Sequence, residues 1–124
     1  MSKPSMHKIR VVRYARDGGY AAMEWLRAFQ TVELPPIIAD GESFRLGVQI
    51  TKKRAIDVIL RIESLDSFTD KLRARLGKTK SDKLFHHPKT CRKKVLGTKR
   101  PLAVLSARHM GQPIRILICS PKSD

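Results

Sequence analysis

The middle of the chain carries two runs in which apolar and polar residues alternate. In residues 44–51, Phe44, Leu46, Val48 and Ile50 alternate with polar or small residues, and residues 56–63 show the same period of two. This period is typical of a half-buried β-strand. The basic stretch 52–54 separates the two runs, so the pattern predicts a hairpin with a basic tip.

Three further runs predict strands nearer the two ends of the sequence. Residues 8–14 are rich in β-branched side chains, which favour a strand. Residues 102–107 and 114–119 are apolar and are separated by the turn-forming residues 110–113, which predicts a second hairpin.

Two segments have the spacing of helices. The first has apolar residues at i, i+3, i+4 and i+7, namely Ala22, Trp25, Leu26 and Phe29. A hairpin is the alternative there, because Asp17-Gly18 is also a turn signal. The second helix is predicted over 68–76, where Ser67 and Asp70 have capping-box spacing and Phe68, Leu72 and Leu76 share one face.

Residues 78–94 show no apolar periodicity, and we interpret them as a basic exposed loop. Residues 1–7 are polar and are expected to be flexible. At 124 residues the chain has the length of one domain, so we predict a single domain over 1–124. The predicted fold class is α+β, with a mainly antiparallel sheet, one or two short helices and the basic loop.

Positive charge is concentrated in one segment of the chain. The 124 residues include 26 Lys or Arg and 11 Asp or Glu, which gives a net charge of +15. Residues 71–100 hold twelve of these basic residues and a single acid, Asp82. Charge asymmetry of this kind bears on binding and solubility rather than on fold, and it predicts a polyanionic partner.

The basic segment is therefore the candidate binding site, without catalysis. Its candidate residues for nucleic-acid binding are Lys71, Arg75, Lys78, Lys80, Lys83, Lys89, Arg92, Lys93, Lys94, Lys99 and Arg100. Lys and Arg that neutralise phosphates release counterions, which gives an affinity that falls steeply with salt.

The residue types favour RNA over DNA and backbone recognition over base readout. Lysine outnumbers arginine in the segment and lacks the bidentate fork that reads guanine. Only Phe85 lies among the loop cations, so a stacking platform of the kind found in single-strand binders is not evident. Tyr14 and Tyr20 are minor candidates for stacking on a base. Structured or double-stranded RNA fits the pattern better.

Other uses of the basic segment stay open. It is also compatible with a solubilising surface, with a nuclear-import signal formed by Arg92-Lys93-Lys94 and Lys99-Arg100, or with an acidic protein partner of an inhibitor-like chain.

Two chemical alternatives are weaker than binding. His86, His87, Cys91 and Cys119 are candidate zinc ligands, but their spacing matches no established zinc pattern. A small metal-independent ribonuclease would use His86, His87 or His109 with Glu24 or Glu63. No motif aligns these groups, so we predict neither a metal nor a cofactor, and the balance favours a binder over an enzyme.

The remaining expectations concern context. The sequence lacks an apolar run long enough to span a bilayer, so we expect no membrane partner and an intracellular location, cytoplasmic or nuclear. A homodimer through a sheet edge formed by Ile114, Ile116 and Ile118 is an open alternative. The chain contains no asparagine, a feature compatible with a viral or regulatory protein.

Overall fold

A computed structural model describes residues 6–16, 20–36 and 38–122. In chain order its elements are β1 (Met6–Tyr14), α1 (Ala22–Phe29), β2 (Ser43–Thr51), β3 (Arg54–Ser64), α2 (Phe68–Arg75), α3 (Lys80–His86), α4 (Pro88–Lys94), β4 (Thr98–His109) and β5 (Gln112–Pro121). Among these helices none is long and apolar enough to cross a membrane.

The strands form one antiparallel sheet in the order β1-β4-β5-β3-β2. The fold is α+β, as the alternating patterns predict. Both predicted hairpins are present: β2 pairs with β3, and β4 pairs with β5. At the second turn, Met110 and Gly111 both have positive φ, of 53° and 83°, which is the backbone that a two-residue hairpin turn requires.

The larger apolar cluster lies between α1 and one face of the sheet. Trp25 and Phe29 are buried there, and Tyr20 packs edge-on against Trp25 with ring centroids 5.2 Å apart. The strands contribute Val48, Ile50, Val58, Leu60, Ile62, Leu105, Ile114, Ile116 and Ile118. The helix at α1 is thus confirmed, so residues 22–29 are not the strand of a hairpin; Asp17 and Gly18, where the turn was expected, lie outside the described residues.

The smaller apolar cluster lies on the opposite face, under α3 and α4. Leu84 of α3 and Cys91 of α4 pack there with Val95. The sheet supplies Ile59, Val104, Leu117 and Cys119. The sheet is therefore sandwiched between α1 on one side and the α3–α4 pair on the other.

The prediction of a basic exposed loop over 78–94 is wrong, because most of this segment is helical. Each of the two helices has seven residues and buries only one large apolar side chain or a single cysteine, so no periodicity is visible in the sequence. The available signals were at the helix starts: Thr79 and Asp82 form a capping box, and Pro88 stands in the first turn of α4.

Two other expectations are also corrected. Met6 and His7 belong to β1, and Met6 is buried, so flexibility does not extend to them; residues 1–5 lie outside the described residues. The strand that carries Ile114, Ile116 and Ile118 lies between β4 and β3, so it offers no free edge for a second copy.

Helix α2 is formed as predicted but does not pack on the sheet. Its capping box is present, with Ser67 Oγ accepting a hydrogen bond from Asp70 N–H at 3.0 Å. At its end Gly77 has φ of +67°, and Lys78 N–H donates to Arg73 O at 2.8 Å, which closes a Schellman motif. None of its residues is buried, and Phe68 is 82% exposed.

The packing of α3 and the exposure of α2 predict losses of unfolding free energy of very different size for the same Leu→Ala substitution. Leu84, at 5% exposure, should lose about 3 kcal/mol of unfolding free energy as Leu84→Ala. Leu76, at 60% exposure, should lose less than about 0.5 kcal/mol as Leu76→Ala. Urea titration of both variants measures the difference, and equal losses would contradict the packing of α3 described here.

Candidate nucleic-acid interface

A buried carboxylate on β3 holds the start of α3. Glu63 is 6% exposed, and its Oε2 accepts a hydrogen bond from Lys80 N–H at 3.2 Å. Its Oε1 accepts from both Ser81 N–H at 3.0 Å and Ser81 Oγ at 2.8 Å. Helix N–H groups that lack partners within the helix are thereby satisfied by a negative charge, which the helix dipole also favours.

A second buried carboxylate, Asp82, ties the same helix to β1. Arg13 Nε donates to Asp82 Oδ1 at 2.9 Å, and Arg13 Nη2 donates to Gly77 O at 3.3 Å. Asp82 Oδ2 also accepts from Thr79 N–H at 3.0 Å and Thr79 Oγ1 at 2.8 Å. Burial raises the pKa of Asp82, but the hydrogen bonds from Arg13 and Thr79 outweigh it, so the pKa is held below its ordinary value of 3.8.

The fourth charged residue of this polar group, after Glu63, Asp82 and Arg13, is Arg115 on β5. It is 5% exposed, lies opposite Glu63 in the strand register, and donates from Nη2 to Ala74 O of α2 at 3.4 Å. Burial lowers the pKa of Arg115, an effect that the charges of Asp82 and Glu63 oppose. We call Arg13, Glu63, Asp82 and Arg115 the polar anchor, because together they attach the α2–α3 segment to three strands.

The polar anchor leaves the outer surface of these helices positive. Asp82 and Glu63 are buried, and Asp82 is paired with Arg13 of β1 rather than with a cation of the helices. Besides Arg73, the exposed cations of the α2–α4 segment are Lys71, Arg75, Lys78, Lys80, Lys83, Lys89, Arg92, Lys93 and Lys94, and we call these nine the basic surface. A surface of this kind attracts polyanions.

The predicted site residues are thus mostly on one folded segment, although not all of them are together. Lys71 and Arg75 lie on α2, Lys80 and Lys83 on α3, and the four C-terminal members on α4. Lys99 and Arg100 lie on β4 and border a different cleft, beside Tyr20 and Ile56. They are not part of the basic surface.

A pocket of about 270 Å³ opens between α3 and α4, above β3. It is lined by Arg61, Lys80, Lys83, Leu84, His87, Thr90 and Lys94. Three of the predicted cations converge here, because positions 80 and 83 of α3 and positions 87, 90 and 94 around α4 fall on facing sides of the two helices. No Asp or Glu of the described chain is among the lining residues.

Arg61 was not among the candidates drawn from the sequence. Its signal was the alternation of β3, which places Ile59, Arg61 and Glu63 on the face opposite the main apolar cluster. A further groove, of about 410 Å³, lies beside Ile59 and includes Arg45 and Lys122. Positive charge therefore continues from the helices onto the uncovered face of β2.

The histidine and glutamate side chains proposed for a ribonuclease are not hydrogen-bonded to one another among the described residues. Glu63 serves α3, and Glu24 accepts from Ala21 N–H at 3.1 Å as part of the α1 cap. His109 is buried, with Nε2 at 2.7 Å from Pro35 O. No described hydrogen bond joins a histidine to either glutamate.

The two cysteines are packed together in the smaller apolar cluster. Cys91 Sγ and Cys119 Sγ are 3.8 Å apart, and both residues are fully buried. The contact with Cys91 and burial both raise the pKa of Cys119, which keeps this thiol protonated. Across the described chain, no group of three or more His, Cys, Asp or Glu side chains is placed to hold a metal ion.

Comparisons with models of known protein families, with curated proteins and with solved structures found no match.

The lowered pKa of Asp82 predicts a defined pH dependence of stability. Because the ionised form is favoured in the folded state, its stabilising contribution is complete above pH 3.8 and is lost as the pH falls through the lower folded-state pKa. Asp82→Asn should cost about 2 kcal/mol at neutral pH, and its difference from the wild type should shrink below pH 3.8. Chemical unfolding across a pH series measures both.

The matched control is Asp70→Asn. Asp70 occupies the same capping position on exposed α2 and has no ion-pair partner within the described residues. This variant should lose less than about 1 kcal/mol at neutral pH. A difference between Asp82→Asn and the wild type that stays constant down to the lowest pH would show that the Asp82 charge does not stabilise α3.

Proposed function

We propose that the chain is a non-catalytic nucleic-acid-binding protein that docks the phosphate backbone of RNA, less favourably DNA, on the basic surface. The observation that carries this proposal is the separation of charge in the α2–α4 segment. Asp82 and Glu63 are buried in the polar anchor, and the Asp70 carboxylate is hydrogen-bonded in the α2 cap, whereas the Lys and Arg side chains of the basic surface are exposed and belong to no salt bridge within the described residues.

Order in this segment strengthens the case for specific docking. A flexible basic loop would have to lose conformational entropy on binding, whereas cations mounted on helices that are fixed to a sheet have lost most of that entropy already. Lys89 and Lys93 stand one turn apart on the solvent side of α4. Such a row presents several charges at a fixed spacing to a regular polyanion.

The exposed side chains favour recognition of shape over recognition of bases. Tyr20 is buried against Trp25, and Arg54 lies 5.0 Å above its ring, so Tyr20 has a structural role. Phe85 of α3 is half-buried against the smaller apolar cluster. Phe68 on α2 is the one exposed Phe, Tyr or Trp of the α2–α4 segment, and a single ring does not make a stacking platform, so structured or double-stranded RNA suits the surface better than an extended single strand.

Such a binder would act in the cytoplasm or the nucleus, and a viral or regulatory role is compatible with it. Titration against double-stranded RNA, hairpin RNA, single-stranded RNA and duplex DNA at several salt concentrations tests the class of nucleic acid. We expect the order of affinity to begin with the two structured RNAs, and stronger binding to duplex DNA would overturn the preference for RNA.

A double charge reversal tests the surface itself. Lys89→Glu with Lys93→Glu should weaken binding to hairpin RNA at least about tenfold at low salt and reduce the slope of log affinity against log salt by about 1 to 2. The control is Lys52→Glu with Lys53→Glu at the tip of the β2–β3 hairpin, far along β3 from α3 and with the same change in charge.

The comparison between these two variants decides the location of the site. The hairpin variant should keep most of the wild-type affinity and slope. Equal losses in both variants would mean that RNA responds only to net charge, and no loss in the α4 variant would reject α4 as part of the interface.

A second candidate function follows from α2. Phe68, Leu72 and Leu76 form an exposed apolar ridge, with Lys71 and Arg75 on the same short helix. The guanidinium groups of Arg13 and Arg115 donate hydrogen bonds to the backbone carbonyls of Gly77 and Ala74 and hold the segment, so the ridge is not needed for packing. Its charge and apolarity are complementary to an acidic amphipathic helix of a partner protein.

A synthetic acidic amphipathic peptide tests this candidate, with a scrambled peptide of the same composition as the control. Fluorescence anisotropy should show binding of the amphipathic peptide alone, and Phe68→Ser with Leu72→Ser should remove it without lowering Tm. Equal binding of both peptides would indicate charge attraction only and would reject the ridge as a docking site. Light scattering of the wild type and of the same variant shows whether the ridge mediates self-association instead of peptide binding.

A further inference from the structure

The pocket between α3 and α4 contains a buried hydrogen-bond donor that has no partner within the described part of the chain. Arg61 reaches it from β3, and its Nη1 is buried without a hydrogen-bond partner among the described residues. Buried polar atoms are nearly always paired, because an unpaired donor loses its hydration and gains nothing in return. A donor of this kind at the floor of a pocket indicates that a ligand acceptor belongs there.

The walls of the pocket select an anion. Lys80 and Lys83 approach from α3, and Lys94 approaches from α4, so four permanent cations surround one small volume. The His87 ring and the Thr90 hydroxyl supply further hydrogen-bonding groups. With no carboxylate in the lining, the cations repel one another unless an anion occupies the space between them.

The volume and the lining of the pocket favour a phosphate group that carries a small substituent. The volume of about 270 Å³ lies just under the range of pockets for drug-sized ligands. The single apolar wall, Leu84, suits the carbon face of a sugar rather than a second charged group. A guanidinium together with several ammonium groups is the donor set that proteins use for phosphate oxygens.

We propose that this pocket binds a phosphate monoester. This inference rests on the proposed function: in the RNA complex, the terminal phosphate of the strand would lie in the pocket, and the rest of its backbone would run over the basic surface. A monoester carries close to two negative charges and three free oxygens, which match four converging cations better than the single charge of an internal diester.

The test compares one hairpin RNA with a 5′-phosphate or a 5′-hydroxyl end, together with the same hairpin carrying a 3′-phosphate. Two small probes, inorganic phosphate and adenosine monophosphate, distinguish a strand end from a free monoester. The wild-type protein should bind one phosphorylated hairpin at least about tenfold more tightly than the hydroxyl form, which corresponds to about 1.4 kcal/mol.

Three variants separate the pocket from the surrounding surface. Lys83→Ala with Lys94→Ala should reduce the preference for the phosphorylated end to nearly one. Lys89→Ala with Lys93→Ala removes the same charge from the outer side of the segment, so it should weaken both hairpins alike and keep the preference. Arg61→Met should lose the preference without a fall in Tm, because it removes a buried Nη1 donor that has no hydrogen-bond partner among the described residues.

The outcomes distinguish failure of the pocket from failure of the proposed function. Equal binding of phosphorylated and hydroxyl hairpins by the wild type would overturn the pocket assignment and leave RNA binding in place. Binding of adenosine monophosphate or phosphate, lost in Lys83→Ala with Lys94→Ala, would support the phosphate site even if no RNA bound, and would then overturn the RNA function. A preference that survives both pocket variants would overturn the assignment to these residues.

Discussion

The hydrogen bonds between Glu63 and the first residues of α3 are the interaction on which the basic face of the molecule depends. A carboxylate buried at the sheet surface is costly unless every oxygen is paired, and here the two N–H groups and the hydroxyl at the helix start meet that requirement. The same hydrogen bonds fix the position of the first residues of α3, a helix of seven residues. A helix so short would not be stable alone, since nucleation is unfavourable and few hydrogen bonds follow it.

The polar anchor also explains how a chain with a net charge of +15 packs a highly basic segment against its sheet. Mutual repulsion among the Lys and Arg side chains opposes compaction, and Asp82 and Glu63 offset it from beneath, where the dielectric is low and each charge acts strongly. Acids on the outer surface would have balanced the same charge, but they would also have competed with any anionic ligand. Placing them inside stabilises the fold and keeps the outer face positive.

The sequence predicted the sheet well because its strands have one face that must be apolar. The alternations over 44–51 and 56–63 follow directly from that constraint, and the capping box at Ser67 marked α2 correctly. The α3–α4 pair was missed because Leu84 and Cys91 are too few to produce a period, so the helices depend on contacts with β3, β4 and β5 that are distant in the sequence. Arg61 was missed for a related reason: only the three-dimensional arrangement brings it under Lys80, Lys83 and Lys94.

The strand order has a consequence for how the molecule is made. Strand β5 lies between β3 and β4 in the sheet. The β2–β3 hairpin and the β4–β5 hairpin therefore join only when β5 has been synthesised and pairs with β3. Until then β3 lacks its second neighbour, α2 lacks the hydrogen bond from Arg115, and α3 lacks Leu117 beneath it. Pairing over such long sequence separations is slow. The α2–α3 segment therefore acquires its fixed position late, after most of the positively charged residues of the chain have been synthesised.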